Sequence, residues 1–165
     1  MLSSARRESD TKKLVEVLFP KTTIKVLDLL DYHICLYRYS GHYPAADQFL
    51  EVMEKILLHK QVVFATPVYW YAMSGLMKIF FDRLTDIVTV QISLGSQLAG
   101  KKTFLLAVGS DEELSPGFEK PFELTSDYFG MTYTASYYCP SNAIHVQSGS
   151  REDFLKAFNS KLYYI

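Results

Sequence analysis

Residues 65–75 read A-T-P-V-Y-W-Y-A-M-S-G, and the reading of the chain is anchored there. The stretch follows the apolar run Val62-Val63-Phe64 and opens a helical pattern that runs from Ser74 to about Val88. A short apolar run that stops at a turn signal marks a buried strand, and apolar residues three and four apart mark a helix. The junction is therefore a strand leading into a helix. Three large aromatics in succession, Tyr69, Trp70 and Tyr71, lie just past the end of that strand. Core packing explains them poorly, although an aromatic core plug is as good a reading of this loop taken alone. Pro67 fixes the backbone, Ser74 can cap the next helix through its hydroxyl, and Gly75 permits close backbone approach. Such a loop, with Val68 at its start, lays flat apolar faces and amides against a planar ligand.

Working outward, residues 11–19 form a helix with Leu14, Val15 and Leu18 on one face, ended by Pro20. Residues 23–29 alternate partly, as a half-exposed edge strand does. Residues 31–44 are a polar–aromatic loop, and residues 45–58 are an amphipathic helix carrying Phe49, Leu50, Met53, Ile56 and Leu57. Residues 61–65 are a short strand. The helix from Ser74 has a wide apolar arc: Leu76, Met77, Ile79, Phe80, Phe81, Leu84, Ile87 and Val88. That exceeds the ~100° stripe needed to dock on one sheet. Deep burial within its own domain and contact with a second subunit explain it equally well. Residues 102–108 form a continuous apolar strand of the kind buried on both faces of a parallel sheet. A turn-rich loop (109–117), a helix (118–129), an outer strand (131–138) and a closing helix (151–162) complete the chain. Strands alternating with helices predict a parallel α/β sheet in a single domain, residues 1–165, with ligands outside the carboxyl ends of the strands.

A second loop sits at such a place. Residues 3–11, S-S-A-R-R-E-S-D-T, offer the hydroxyls of Ser4, Ser9 and Thr11, the Arg6 guanidinium and backbone N–H groups at a helix start. A phosphate monoester wants such donors, and the helix dipole adds to them. Glu8 and Asp10 oppose an anion unless they point away, and a solvated N-terminal loop is the simpler reading of this segment by itself. Gly109 and Ser110 follow the buried strand and are further, weaker candidates to meet a ligand, since turn residues end most strands. One loop suits an anion and the other a ring, which together point to flavin mononucleotide (FMN). Only Met1 and Leu2 precede the first loop, whereas a strand normally needs about five residues. A sequence that starts upstream, or a vestigial first strand, is expected, and the mass of the native protein distinguishes them.

Composition narrows the class. The 165 residues carry a net charge of -1, with 48% hydrophobic and 21% charged residues. This excludes a disordered chain and gives no footprint for nucleic acid. Aromatics reach 15%, which fits an aromatic ligand site or a self-association face. Cys35 and Cys139 are far apart and form no C-x-x-C, and the four histidines form no spaced cluster, so no metal is expected. No apolar run reaches the ~18 residues of a membrane span, and no signal-peptide core is present. A soluble cytoplasmic protein without a membrane partner is expected. No G-x-S-x-G elbow occurs, so a hydrolase reading fails at once.

These residues resemble a known family. S-S-A-R-R-E-S-D-T is similar to the phosphate loop of the NAD(P)H-dependent FMN reductases, usually G-S-x-R-x-x-S/G-N-T. T-P-V-Y-W-Y-A-M-S-G-L-M-K-I-F-F-D-R-L resembles their isoalloxazine loop and following helix. Ser3 stands where the family has Gly, Asp10 where it has Asn, and the cysteine motif of the related iron–sulfur flavoproteins is missing. The resemblance implies a flavodoxin-like three-layer sandwich whose first strand is truncated. It implies FMN at the strand ends and a homodimer or homotetramer with the long helix near the interface. By position, Ser4, Arg6, Ser9 and Thr11 would hold the phosphate. Pro67, Val68, Tyr69, Trp70, Tyr71 and Ser74 would line the ring, with Gly109 and Ser110 near it. No catalytic side chain is expected, because the cofactor carries the redox chemistry. Hydride would pass from NAD(P)H through FMN to a quinone, free flavin or other small acceptor. The alternatives are a flavodoxin-like electron carrier, against which the small net charge argues mildly, and a flavodoxin-like scaffold that has lost its flavin.

Overall fold

The computed structural model describes residues 1–20 and 24–160. Its sheet has four strands, β1 (Gln61–Tyr69), β2 (Ala72–Met73), β3 (Lys102–Gly109) and β4 (Thr132–Pro140), in the order β2-β1-β3-β4. β1, β3 and β4 are parallel, and β2 turns back antiparallel on the end of β1. The helices are α1 (Asp10–Leu18), α2 (Phe49–Leu57), α3 (Gly75–Arg83), α4 (Asp86–Thr89), α5 (Ile92–Ser96), α6 (Lys120–Tyr128) and α7 (Gly149–Asn159). A single 3-10 turn covers Leu29–Asp31.

Strand alternation builds three layers. Phe64, Leu105 and Ala107 point to one face and pack with Phe49 and Met53 of α2, Met77 and Phe80 of α3, and Phe122 of α6. Ala65, Phe104, Leu106 and Val108 point to the other, against Leu14, Val15 and Leu18 of α1 and Phe154 of α7. β3 is buried along almost its whole length, as its unbroken apolar sequence predicts.

The start of the chain lies inside the sheet. Leu2 donates to Leu27 C=O at 2.8 Å and accepts from Leu29 N–H at 2.9 Å. On its other side Ala65 N–H donates to Met1 C=O, and Ser3 N–H to Ala65 C=O, each at 2.9 Å. Leu2 thus forms parallel bridges to both Asp28 and Ala65. The near-absent first strand read from the sequence is this single residue, and it delivers residues 3–11 to the carboxyl end of β1.

Several elements differ from the sequence reading. The edge strand expected over 23–29 is reduced among the described residues to the bridge at Asp28, and Thr23 lies outside them. α2 begins at Phe49 rather than 45, since residues 45–46 form a turn. β1 runs on to Tyr69 through Pro67. The long helix from Ser74 breaks after Arg83, whose guanidinium turns to bond Asp86, and α4 resumes there. Most of its apolar arc is spent inside the domain: Met77, Phe80, Leu84 and Ile87 are buried, and Leu76, Ile79 and Phe81 pack on the same core. α7 ends at Asn159, and the last two residues of the expected helix, 161 and 162, lie outside the described residues.

Candidate functional site

α1 forms where it does because Ser9 caps it. Its Oγ accepts from Lys12 N–H at 3.2 Å, leaving the first-turn N–H groups at the carboxyl end of the sheet. Ser3, Ser4, Ser9 and Thr11 are buried, while Ala5, Arg6, Arg7 and Glu8 are exposed. The two carboxylates that would oppose an anion are drawn aside. Glu8 pairs with Lys12 at 2.8 Å and Asp10 with Lys13 at 2.9 Å, and the Lys12 hydrogen bond holds the Glu8 carboxyl below its ordinary range. Arg7 is tied to Asp31 at 2.6 Å. Arg6 enters no ion pair among the described residues, so its guanidinium stays available. Thr11 is 1% exposed, and its Oγ1 is buried with no hydrogen-bond partner. A buried hydroxyl left unpaired costs about 1–3 kcal/mol, and a phosphate oxygen would relieve that cost.

The aromatic stretch is a hairpin, not a loose loop and not a core plug. Val68 pairs with Met73 and Tyr69 with Ala72, leaving Trp70 and Tyr71 as a two-residue turn. Both have positive φ, 49° and 64°. This is the primed turn that suits hairpin twist and is ordinarily filled by Asn and Gly. Bulky residues in the left-handed region cost of order 1–3 kcal/mol each, and such strain collects at ligand sites. Nothing in the fold repays it by burial, because Trp70 is 93% and Tyr71 70% exposed. Tyr69 is exposed, Val68 half-buried and Pro67 buried within β1.

Ser74 joins the two loops. It caps α3 by accepting from Met77 N–H at 3.3 Å, and its Oγ lies 2.7 Å from Ser3 Oγ, both buried. Its own N–H donates to Thr66 Oγ1 at 3.0 Å. Ser74 is thus committed to holding the hairpin and the first loop together.

Gly109 and Ser110, at the end of β3, share a cleft of about 180 Å³ with Val68, Trp70, Tyr71, Asp111, Glu113 and Tyr138. A Cβ on Gly109 would lie 2.7 Å from Tyr138 Oη, so only glycine lets the tyrosine close over the strand end. Tyr138 Oη donates to Asp111 C=O at 2.6 Å. Burial, then the Asp111 charge, push its phenol above the ordinary tyrosine value, so it stays protonated at neutral pH. Ser3, Thr66, Asp111 and Tyr138 were not among the residues expected from sequence. Tyr138 reads there only as one beat of a strand alternation, and the Ser3–Ser74 contact spans 71 positions.

No group of three or more His, Cys, Asp or Glu that could hold a metal ion occurs among the described residues. No described helix is long and apolar enough to cross a membrane.

Residues 1–131 match the family described as NADPH-dependent FMN reductase. The chain belongs to this family. It is 31% identical over 98 residues to the putative NAD(P)H-dependent FMN-containing oxidoreductase YwqN of Bacillus subtilis, covering 57% of this chain and 54% of that protein. It is 26% identical over 145 residues to the uncharacterized NAD(P)H oxidoreductase YrkL of the same organism, covering 76% and 83%. The chain thus spans about half the length of YwqN. Among solved structures, the Trp repressor binding protein from Bacillus subtilis aligns over 97% of both chains, with TM-score 0.75 and 20% identity. The general stress protein 14 of Treponema denticola, solved in complex with FMN, aligns over 93% of this chain and 92% of its own, with TM-score 0.61 and 18% identity. At these identities the likeness carries the fold, which is flavodoxin-like. Residues 3–11 and the Trp70–Tyr71 turn lie at the carboxyl end of the sheet, where ligands of open α/β sheets sit.

Proposed function

We propose that the protein is an FMN-dependent NAD(P)H oxidoreductase that passes reducing equivalents from a nicotinamide through bound FMN to a quinone, flavin or other small acceptor. The observation that carries this reading is the Ser3–Ser74 bond of 2.7 Å, which clamps a hydroxyl-rich helix start against an exposed aromatic turn. One half suits a phosphate and the other a planar ring.

The donor set fits the cofactor. The orphaned Thr11 hydroxyl, the Ser4 and Ser9 hydroxyls, the N–H groups opening α1 and the unpaired Arg6 would hold the phosphate. Pro67, Val68, Tyr69, Trp70 and Tyr71 would flank the ring, with Ser74 holding the turn in place and Gly109 and Ser110 closing the far side. The chemistry that FMN supplies when bound is acceptance of two electrons as hydride and their release to a second molecule. The chain's own part is binding, orientation and exclusion of water. Tyr138 keeps its proton and positions the loop after β3 through Asp111 C=O. No side chain of the cleft forms the base–acid pair of a hydrolytic site.

Family membership and the exposed Val90, Ile92, Leu124 and Tyr128 support a homodimer or homotetramer, and the composition supports a cytoplasmic location as one domain.

The test is anaerobic addition of NADPH or NADH to the FMN-loaded protein. Rapid loss of the visible flavin absorption is the expected outcome. A flavin that binds but stays oxidised would make the protein an electron carrier instead.

A further inference from the structure

A cavity of about 900 Å³ crosses the sheet at the amino end of β1. Val15, Phe19 and Phe158 line it from the layer of α1 and α7, and Tyr32, Ile56 and Leu58 from the layer of α2. Its two sides are extended backbone, residues 24–27 on one and residues 61–63 of β1 on the other. At Leu2 a single residue stands between these segments and bridges both. Among the described residues no backbone hydrogen bond joins 24–26 to 61–63, so the two edges face each other across a gap.

The ladder leading into the gap defines what fits it. In a parallel pair, alternate residues turn their N–H and C=O to the same edge. Ala65 turns both toward Met1 and Ser3, so Val63 turns its own pair into the gap. Leu27 accepts from Leu2 N–H, and Lys25 shares its edge. The Met1 nitrogen already makes the next rung, donating to Val63 C=O at 2.6 Å. Burial lowers its ammonium to about 5, with the Asp28 charge opposing, so this position favours an uncharged nitrogen such as a peptide amide. Val63 N–H, Leu27 N–H and Lys25 C=O face the gap, and no backbone bond to any of them occurs among the described residues. Side-chain alternation adds the chemistry. Leu2 packs with the core of α1 and α7, and Met1 with that of α2 and α3. The position ahead of Met1 therefore faces α1 and α7, and the one before it faces α2. Both faces are apolar. Continuing the Leu2–Ala65 register sets three positions opposite residues 61–63, about 10 Å of strand.

We propose that this gap seats an extended apolar segment of three residues, joined to the Met1 nitrogen and running parallel to β1. It completes the strand between residues 24–27 and β1 that Leu2 begins. Unpaired strand edges are templates for such pairing, in which main-chain bonds give affinity and alternate side chains give specificity. The site lies at the opposite end of the sheet from residues 3–11 and the Trp70–Tyr71 turn, so the inference does not depend on flavin binding.

The test compares the 165-residue chain with two longer chains, carrying Val-Ile-Val or Gly-Ser-Gly ahead of Met1. Nothing is removed from the fold, and no flavin is added. Melting and amide hydrogen exchange by NMR are the readouts. The Val-Ile-Val chain should melt roughly 4 °C or more above the 165-residue chain. Its Val63 and Leu27 amides should exchange on the order of tenfold or more slowly. The Gly-Ser-Gly chain should show neither effect, because it offers no side chains to the two apolar faces. Equal melting of all three chains, or fast exchange of Val63 and Leu27 in the Val-Ile-Val chain, would overturn the proposal. So would protection of the same amides by a free Val-Ile-Val peptide but not by the joined one, which would assign the gap to a strand from another molecule.

Discussion

Replacing Thr11 with valine separates a binding role from a packing role, because the two make opposite predictions for stability. Valine has the shape of threonine without its polarity, so the 1% exposed site stays filled. The Thr11 hydroxyl is buried and bonds no protein group among the described residues. Such a group costs about 1–3 kcal/mol, and its removal returns part of that cost. At the lower end, about 1 kcal/mol raises Tm by roughly 2–4 °C for a domain of this size. The phosphate reading demands the reverse for binding. A hydrogen bond to a charged group contributes about 1.5–3 kcal/mol, so Thr11→Val should weaken FMN binding roughly ten- to hundredfold. Riboflavin, which lacks the phosphate, should bind both proteins alike. Calorimetric melting of the flavin-free forms and fluorescence titration with each flavin read all three quantities. A variant that melts lower and binds FMN unchanged would refute the reasoning, since the hydroxyl would then serve the fold alone.

Arg6→Ala should weaken FMN by about 1.5–3 kcal/mol with little effect on melting, because the exposed guanidinium makes no ion pair among the described residues; unchanged affinity would remove Arg6 from the site. Replacing Trp70-Tyr71 by Asn-Gly relieves two positive φ values and should stabilise the flavin-free protein by about 1 kcal/mol or more, while FMN affinity falls. Arg83→Met should destabilise by about 3–5 kcal/mol in urea unfolding. It strands the buried Asp47 and Asp86, bonded to Arg83 at 2.8 and 2.6 Å, and uncovers the Tyr43 ring stacked 3.5 Å from the guanidinium. Burial pushes the Asp47 carboxyl up, but hydrogen bonds from Arg83 and the Cys35 N–H outweigh it and hold the folded value below the ordinary one. Its contribution is therefore complete above about pH 4 and is lost as pH falls through the lower folded value; Asp47→Asn should flatten unfolding stability across that acid window.

The parts of the fold legible from sequence are those with local signals. α1 follows from its apolar spacing, the Ser9 cap and Pro20, and β3 from an uninterrupted apolar run. The parts that escaped depend on contacts distant in sequence. Nothing near Leu84 and Thr85 breaks a helix, and the break follows from the Arg83 guanidinium reaching both Asp86 and Asp47, 36 residues away. The hairpin escaped because Trp-Tyr replaces the Asn-Gly signal that marks such turns. The candidate site divides in the same way. Ser4, Ser9, Thr11 and the aromatic run are visible as local motifs. The Ser3–Ser74 clamp and the closure of Tyr138 over Gly109 join residues far apart in sequence and need the folded chain.

In the proposed function one FMN would lie with its ring on the Trp70–Tyr71 turn and its phosphate on the start of α1. The most direct test is an equilibrium titration of the flavin-free protein followed by Trp70 emission, with FMN and with riboflavin in parallel. Strong quenching that saturates at one FMN per chain, with much weaker binding of riboflavin, is the expected result. Tryptophan emission that ignores FMN, or equal affinity for the two flavins, would contradict it.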